Sequence, residues 1–417
     1  VGPDGRRPAG GGAAADGRVL PVRTRYDAII LGGGPAGLAT ALSLKNHCPD
    51  IAVLVAEAGV AGRQRIGESA PPDLLLPLGQ LGLTARFRAD GHAPCPGSAS
   101  LWGGDRVGHN DFLYNPMGPA WRLDRRRFDA MLVAAAETAG VTVVFDTAFR
   151  RVEVMPDLGH RLMLDVAGTT RAVETRQVVD ATGPEARFAR ALGVERRVDD
   201  TLYALAAFLP LPGMLTWQTL LEATPDGWWY AARLPDERVV VMMVTDQAGL
   251  RRLRDDGTLP SWRRGLAATA LIGPRLAAAG VDPGAGDAEP ALLPIQSSLL
   301  AQVDGPGWLA VGDAAASYDP VAAQGVYKAL VDGVAAGRDV ARGWGAALPP
   351  PPRPRAALVA ERYADYCLNR AYLYGLETRW PDALFWRERQ RRADLARPGG
   401  SSDGAQGGAP TRVVTDR

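Results

Sequence analysis

At 417 residues, 47% of them hydrophobic and 22% charged, the chain is long enough to bury a large core and too apolar for a disordered polyelectrolyte. A formal charge of +1, with lysine only at Lys45 and Lys328 and the other cations arginine, gives no reason to expect a nucleic-acid partner. Cys48, Cys95 and Cys367 are odd in number without a Cys-x-x-Cys pair, and His47, His92, His109 and His160 lack ligand spacing; a disulfide framework and a metal site are not expected, and a cytoplasmic setting is.

In chain order, residues 1–24 read as a disordered Gly-, Ala- and Arg-rich arm without an apolar signal core, and no later run reaches membrane-spanning length. The apolar run Tyr26–Leu31, a glycine cluster, a helical stretch Leu38–Lys45 and a second apolar run Ile51–Val55 form a βαβ unit. Helical spacing over Arg126–Ala139 leads to Val141–Phe145 and then to alternating runs at Arg151–Val154 and Arg161–Val166, a β-meander. Alternation at Leu202–Leu209, Trp217–Leu221, Gly227–Leu234 and Arg238–Thr245 predicts an antiparallel sheet of four or so strands. Trp308–Val311 is a short strand entering a glycine turn, Ala356–Tyr374 is a helix beyond the proline block 349–354, and the Gly- and Ser-rich tail 398–417 reads as disordered. The expected division is a first dinucleotide-binding part 25–195, an inserted sheet 196–290, a return segment 291–345 and a helical region 346–397.

Gly32-x-Gly34-x-x-Gly37 follows the first strand and opens the first helix, with Pro35 and Ala36 between the glycines. In that context the first glycine permits the tight turn, the second lets a pyrophosphate approach backbone, and the third allows close packing, while free N–H groups at the helix start attract phosphate. Glu57, about twenty residues beyond at the end of the second strand, is placed for ribose hydroxyls. The chain returns to this edge twice, at Asp180-Ala-Thr-Gly183 and at Gly312-Asp313.

These returns resemble the glutathione-reductase-like FAD fold. The fold class expected is therefore α/β: a glutathione-reductase-like FAD-binding Rossmann domain with an inserted antiparallel β-sheet substrate domain and C-terminal helices. The resemblance implies that Asp313 meets the ribityl chain of FAD and that the helix after Asp319-Pro320-x-x-x-Gln324-Gly325-Val326 aims its positive end at the isoalloxazine, where it favours the reduced anion. Gly67-Glu68-Ser69, Leu123–Asp129, Gly312-Asp313 and Tyr318–Gly325 together resemble the tryptophan-halogenase-related flavoproteins over about Tyr26 to Arg392. That likeness implies FAD contacts from Gly67, Glu68 and Ser69, and from Arg125 near the phosphates or adenosine.

The halogenases use a lysine soon after the Gly-Glu segment, and here that region, Pro96–Trp102, offers Ala99 or Ser100. Their Ser-Thr-Gly is here Ala323-Gln324-Gly325, and Lys328, beyond it, is expected to have a surface or helix-capping role. The run Asp319–Leu330 and the later Glu377–Trp386 resemble the flavoprotein maturases of cysteine tryptophylquinone enzymes. The implied activity is FAD-dependent oxygenation of an indole or phenol, including a tryptophan of a partner protein, with electrons from a flavin reductase or NAD(P)H. Trp102, Trp121, Trp228, Trp229 and Tyr230 are candidate substrate walls, and His92, His109 and Asp111 candidate acid–base groups between the Gly-Glu segment and Arg125. Three alternatives stay open: a halogenase, an FAD-dependent reductase or dehydrogenase of a small molecule, and a flavoprotein chaperone without catalysis.

Overall fold

A computed structural model describes residues 22–156, 159–284 and 290–396. The tail 398–417, and the arm 1–24 up to residue 21, lie outside them. The first strand, Arg25–Leu31, and its neighbour Val53–Ala56 are almost wholly buried, as expected for strands covered on both faces. The order of the parallel strands is Thr142–Val144, Val53–Ala56, Arg25–Leu31, Thr169–Asp180, Trp308–Ala310. Thr169–Asp180 does two things: its first half closes an antiparallel meander with Gly159–Val166 and Thr147–Met155, and its second half runs parallel to the first strand.

Register brings the motifs together. Leu31 lies opposite both Ala56 and Asp180, and Asp180 lies opposite Ala310, so four strands end level. The turns that follow them, at Gly32, Glu57, Ala181 and Gly312, therefore gather at the carboxyl edge of the sheet, where open α/β folds bind ligands.

The first helix runs over Pro35–His47, earlier than apolar spacing predicts because Pro35 suits the first helical position. It packs against Gly325–Gly343, and the two backbones nearly touch: a Cβ on Gly333 would lie 2.6 Å from Ala36 O, and one on Gly337 would lie 2.7 Å from Thr40 O. Ser43 Oγ donates to Val334 O at 2.8 Å across this contact. Helix Arg125–Thr138 covers the same sheet face through Phe128, Met131 and Leu132. On the opposite face, Val359, Tyr363 and Tyr366 of helix Arg355–Gly375 join Ile29, Leu54 and Phe149.

The second sheet has eight strands rather than four or so, in the order Ala316–Ser317, Ala291–Leu300, Arg196–Pro210, Arg238–Thr245, Gly227–Arg233, Thr219–Thr224, Gly97–Leu101, Gly108–Asp111. Strands from both sides of the segment 196–290 thus join it. Its alternation is clean. Val239, Val241 and Met243 pack with Trp229 and Trp262 beneath the helices Gln247–Asp255, Thr258–Ala267 and Ile272–Ala278, three helices that apolar spacing had not revealed. Val240, Met242 and Val244 face Trp228, Tyr230, Tyr374 and Trp386 on the other side.

Candidate functional site

Gly32 has φ +110°, and a Cβ there would fall 2.2 Å from Ala181 O. A Cβ on Gly37 would fall 2.0 Å from Gly32 O, so both glycines are required by the turn itself. Gly34 differs: its backbone is extended and an added Cβ would meet only Arg65 Nη1, at 3.5 Å. The space over Gly34 is thus open, faced by helix-start N–H groups and a guanidinium. Glu57 closes the far side, accepting from Gly33 N at 2.7 Å and Gly59 N at 3.0 Å and pairing with Arg65 at 3.1 Å. A cavity of about 230 Å³ beside this turn is lined by Gly33, Arg63, Arg65 and Arg126. Arg125 is buried, bonds Ile66 O at 2.5 Å and pairs with Asp129 at 3.1 Å, so it clamps the segment before Gly67.

At the other end, Gly312 turns at φ +63° and leaves the Asp313 side chain 42% exposed at the sheet edge. Arg196 fixes that turn by donating to Asp313 O at 2.5 Å and Ala314 O at 2.7 Å. Lys328 is buried, contrary to the surface or capping role expected for it: its ammonium pairs with Asp313 at 2.9 Å, donates to Ala316 O at 2.6 Å and lies over the Tyr318 ring. A lysine one turn into a helix reads as exposed until the preceding segment folds back over it. Asp319 caps the turn Pro320–Ala322 through Val321 N, accepts from Tyr374 Oη at 2.7 Å and pairs with Arg370 at 3.2 Å. Gly183 turns at φ +72°, while Gln324, Gly325 and Val326 lead into the helix Gly325–Gly343.

Between this turn and the second sheet lies a cavity of about 390 Å³, within the range of small-molecule sites. Val321, Ala322 and Ala323 form one side; Trp102, Trp121 and Phe112 supply aromatic surface; Ser69, Cys95 and Thr219 supply a polar end. Behind that end Arg122 is fully buried. Its Nη2 donates to Thr219 Oγ1 at 2.9 Å and Cys95 Sγ at 3.6 Å, and its Nη1 to Tyr230 Oη at 2.9 Å and to Ser69 Oγ. Burial opposes that charge, yet Tyr230, Cys95 and Glu68 around it hold the guanidinium above its ordinary range. Tyr230 donates in turn to Glu68 Oε1 and is raised by burial and by that neighbour.

The candidate residues separate in space. Ser69 and Trp102 line the cavity, and Glu68 and Tyr230 stand behind Ser69. Trp228 gives its indole N–H to Tyr374 Oη at 3.0 Å and is shielded by Trp102, so it supports the wall rather than forming it. Trp229 points to the opposite face, onto Trp262, because successive strand residues alternate. His92 is enclosed by Phe87 and Phe128, with Nδ1 accepting at 3.2 Å from the N–H of Asp124, the residue that caps helix Arg125–Thr138; it holds that cap residue and does not line the cavity. His109 and Asp111 are exposed on the edge strand Gly108–Asp111, where Asp111 accepts from Gln218. Arg122, Cys95, Thr219 and Tyr374 were not foreseen; the one sequence signal was an arginine inside the strand Ala120–Arg122. Among the described residues no group of three or more His, Cys, Asp or Glu is arranged to hold a metal, and no helix is long and apolar enough to cross a membrane.

The model of the FAD binding domain matches residues 25–346, spanning the glycine turn, both returns and the second sheet. The chain belongs to this family of FAD-binding oxidoreductases. This flavoprotein is 31% identical over 368 residues to LodB of Marinomonas mediterranea, named as an FAD-dependent oxidoreductase, covering 87% of this chain and 96% of LodB. Its structure is similar to that of the flavin-dependent halogenase CmlS, with a TM-score of 0.73 and 26% identity over 89% of this chain and 70% of CmlS. It is also similar to the peptidyl tryptophan dihydroxylase QhpG, essential for tryptophylquinone cofactor biogenesis, with a TM-score of 0.65 and 25% identity over 88% and 79% of the two chains. The flavoprotein's own residues fit the cofactor: open space over Gly34 beside Arg65 suits a pyrophosphate, and the half-exposed Asp313 carboxylate suits a polyol.

Proposed function

We propose that this oxidoreductase is a monooxygenase that places a hydroxyl on an electron-rich aromatic ring, an indole or phenol, and that the physiological ring is a tryptophan side chain of a partner protein. The observation that carries this reading is the aromatic cavity of about 390 Å³, bounded on one side by the Asp319–Gly325 turn. The likeness to LodB and QhpG supports it. Gly32, Gly34, Pro35, Ala36, Gly37 and Glu57 would hold the adenylate half of FAD; Arg125 would keep Gly67 in place. Gly183, Gly312, Asp313 and the turn Pro320, Gln324, Gly325, Val326 would hold the flavin half. Bound FAD, reduced by a separate flavin reductase or NAD(P)H, supplies electrons for the activation of dioxygen.

The chain's part is positioning. Trp102, Trp121 and Phe112 offer flat apolar surface to a planar ring. Val321, Ala322 and Ala323 place no polar side chain on the turn side of the cavity.

Halogenation is the second reading, favoured by the likeness to CmlS. Against it stands the lack of lysine between Lys45 and Lys328, together with the engagement of Lys328 by Asp313, Ala316 and Tyr318. Delivery of an oxidised halogen needs a free cation in the cavity; direct oxygenation needs only proximity. With reduced FAD, dioxygen, bromide and an indole-bearing partner, the product should gain oxygen and no bromine by mass spectrometry. A brominated product that disappears in Lys328→Met would replace this reading with the halogenase.

A further inference from the structure

The hydrogen bonds at the polar end of the cavity have a fixed direction. A guanidinium has donors and no acceptor, so Ser69 Oγ and Tyr230 Oη both accept from Arg122 Nη1. Glu68 accepts at both carboxylate oxygens, from Gly67 N at 3.0 Å and from Tyr230 Oη. The single phenolic proton of Tyr230 is thereby committed to Glu68, and the 2.7 Å contact between Ser69 Oγ and Tyr230 Oη leaves Ser69 as the donor. Ser69, which lines the cavity, has two acceptor sites and Arg122 fills one. The other can accept from a ligand. Three groups are thus oriented alike, from the cavity through Ser69 and Tyr230 to a carboxylate that is 3% exposed.

We propose that Ser69, Tyr230 and Glu68 form a proton relay that recognises the N–H or O–H of an aromatic substrate and carries that proton away as the ring is oxygenated. The proposal rests on the monooxygenase reading for its second half and on geometry alone for its first. In the oxygenation, an electron pair of the ring forms the new C–O bond while the O–O bond of dioxygen, brought to the peroxide level by two electrons and two protons from reduced FAD, breaks. The cationic ring is neutralised when its N–H or O–H bond returns its electron pair. That proton goes to Ser69 Oγ, the Ser69 proton to Tyr230 Oη and the Tyr230 proton to Glu68; an equal proton is taken up by the second oxygen atom, which leaves as water. Burial and Glu68 hold the Tyr230 phenol far above its usual range, so it passes a proton without resting as phenolate. Arg122, bonded to both hydroxyls, favours departure of their protons toward Glu68. The substrate selected is an aromatic carrying a ring N–H or O–H, as opposed to its methylated counterpart.

The test uses the FAD-loaded protein with indole and 1-methylindole as probes, binding being read from the flavin absorbance at equilibrium. Indole should bind about tenfold more tightly, the worth of one hydrogen bond to a polarised group, and Ser69→Ala should abolish the preference. Tyr230→Phe and the isosteric Glu68→Gln should fold and bind FAD, with a lowered denaturation midpoint from the buried partners left unmatched, yet lower the rate of oxygenated product by about a hundredfold or more, with hydrogen peroxide formed instead. The solvent isotope effect on product formation, reporting several protons in flight in the parent, should fall to one in Tyr230→Phe. Equal binding of the two indoles, or product at the parent rate from both Tyr230→Phe and Glu68→Gln, overturns the relay. Selective binding of indole with no oxygenated product overturns the monooxygenase reading while sustaining recognition by Ser69.

Discussion

Gly34 and Gly37 stand three positions apart and are glycine for unrelated reasons. A side chain on Gly37 collides with Gly32 O inside the protein, whereas one on Gly34 enters only the open space beside Arg65. Gly34→Val should therefore fold as stably as the FAD-free parent and lose bound flavin, measured by absorbance after gel filtration; a folded variant with full flavin content refutes the placement of the pyrophosphate. A second expectation concerns pH. Burial holds His92 and His160 below their usual value of 6.5, and His92 Nδ1 is further occupied as an acceptor. As pH falls through 6.5 the unfolded chain binds protons that the folded chain refuses, so stability is full above that value and declines below it. Denaturation midpoints should drop between pH 7 and 5, and His160→Gln should flatten the slope; an unchanged slope in that variant rules out His160 as a cause. At this scale the glycines and Glu57 were readable because each motif is contiguous or evenly spaced. The Arg122 cluster was not, since Cys95, Arg122, Thr219 and Tyr230 come from four strands that meet only after folding.

Elements with both faces or one clean face buried were readable from period, as Arg238–Thr245 shows with seven consecutive buried residues after Arg238. The helices between 247 and 278 escaped notice because they are short and their apolar residues are spaced among arginines, glycine and proline. The eight-strand extent of the second sheet was equally hidden, as its outer strands are supplied by distant chain segments. Helix Arg355–Gly375 was foreseen, yet not its task, which is to brace the Asp319 turn. Tyr374 Oη donates to Asp319 and accepts from Trp228, all three buried. Tyr374→Phe strands one buried acceptor site and one buried donor and should cost about 1–3 kcal/mol in chemical denaturation. A change below a few tenths of a kcal/mol would mean that the brace carries no strain-free load.

Across the whole molecule, the fold class was legible because a parallel sheet must return its chain to the same edge, and those returns leave glycine and acid marks in order. What joins the two ends of the site is less visible. The helix that begins at the pyrophosphate turn and the helix that begins beside the flavin-facing turn meet at Gly333 and Gly337 almost without intervening side chains. They act as the jaws of a caliper whose gap is set by backbone contact and has no soft spacer to adjust. With the cofactor held as proposed, such a gauge would select a molecule by its length: a flavin mononucleotide would engage one jaw alone, and the full dinucleotide would span both.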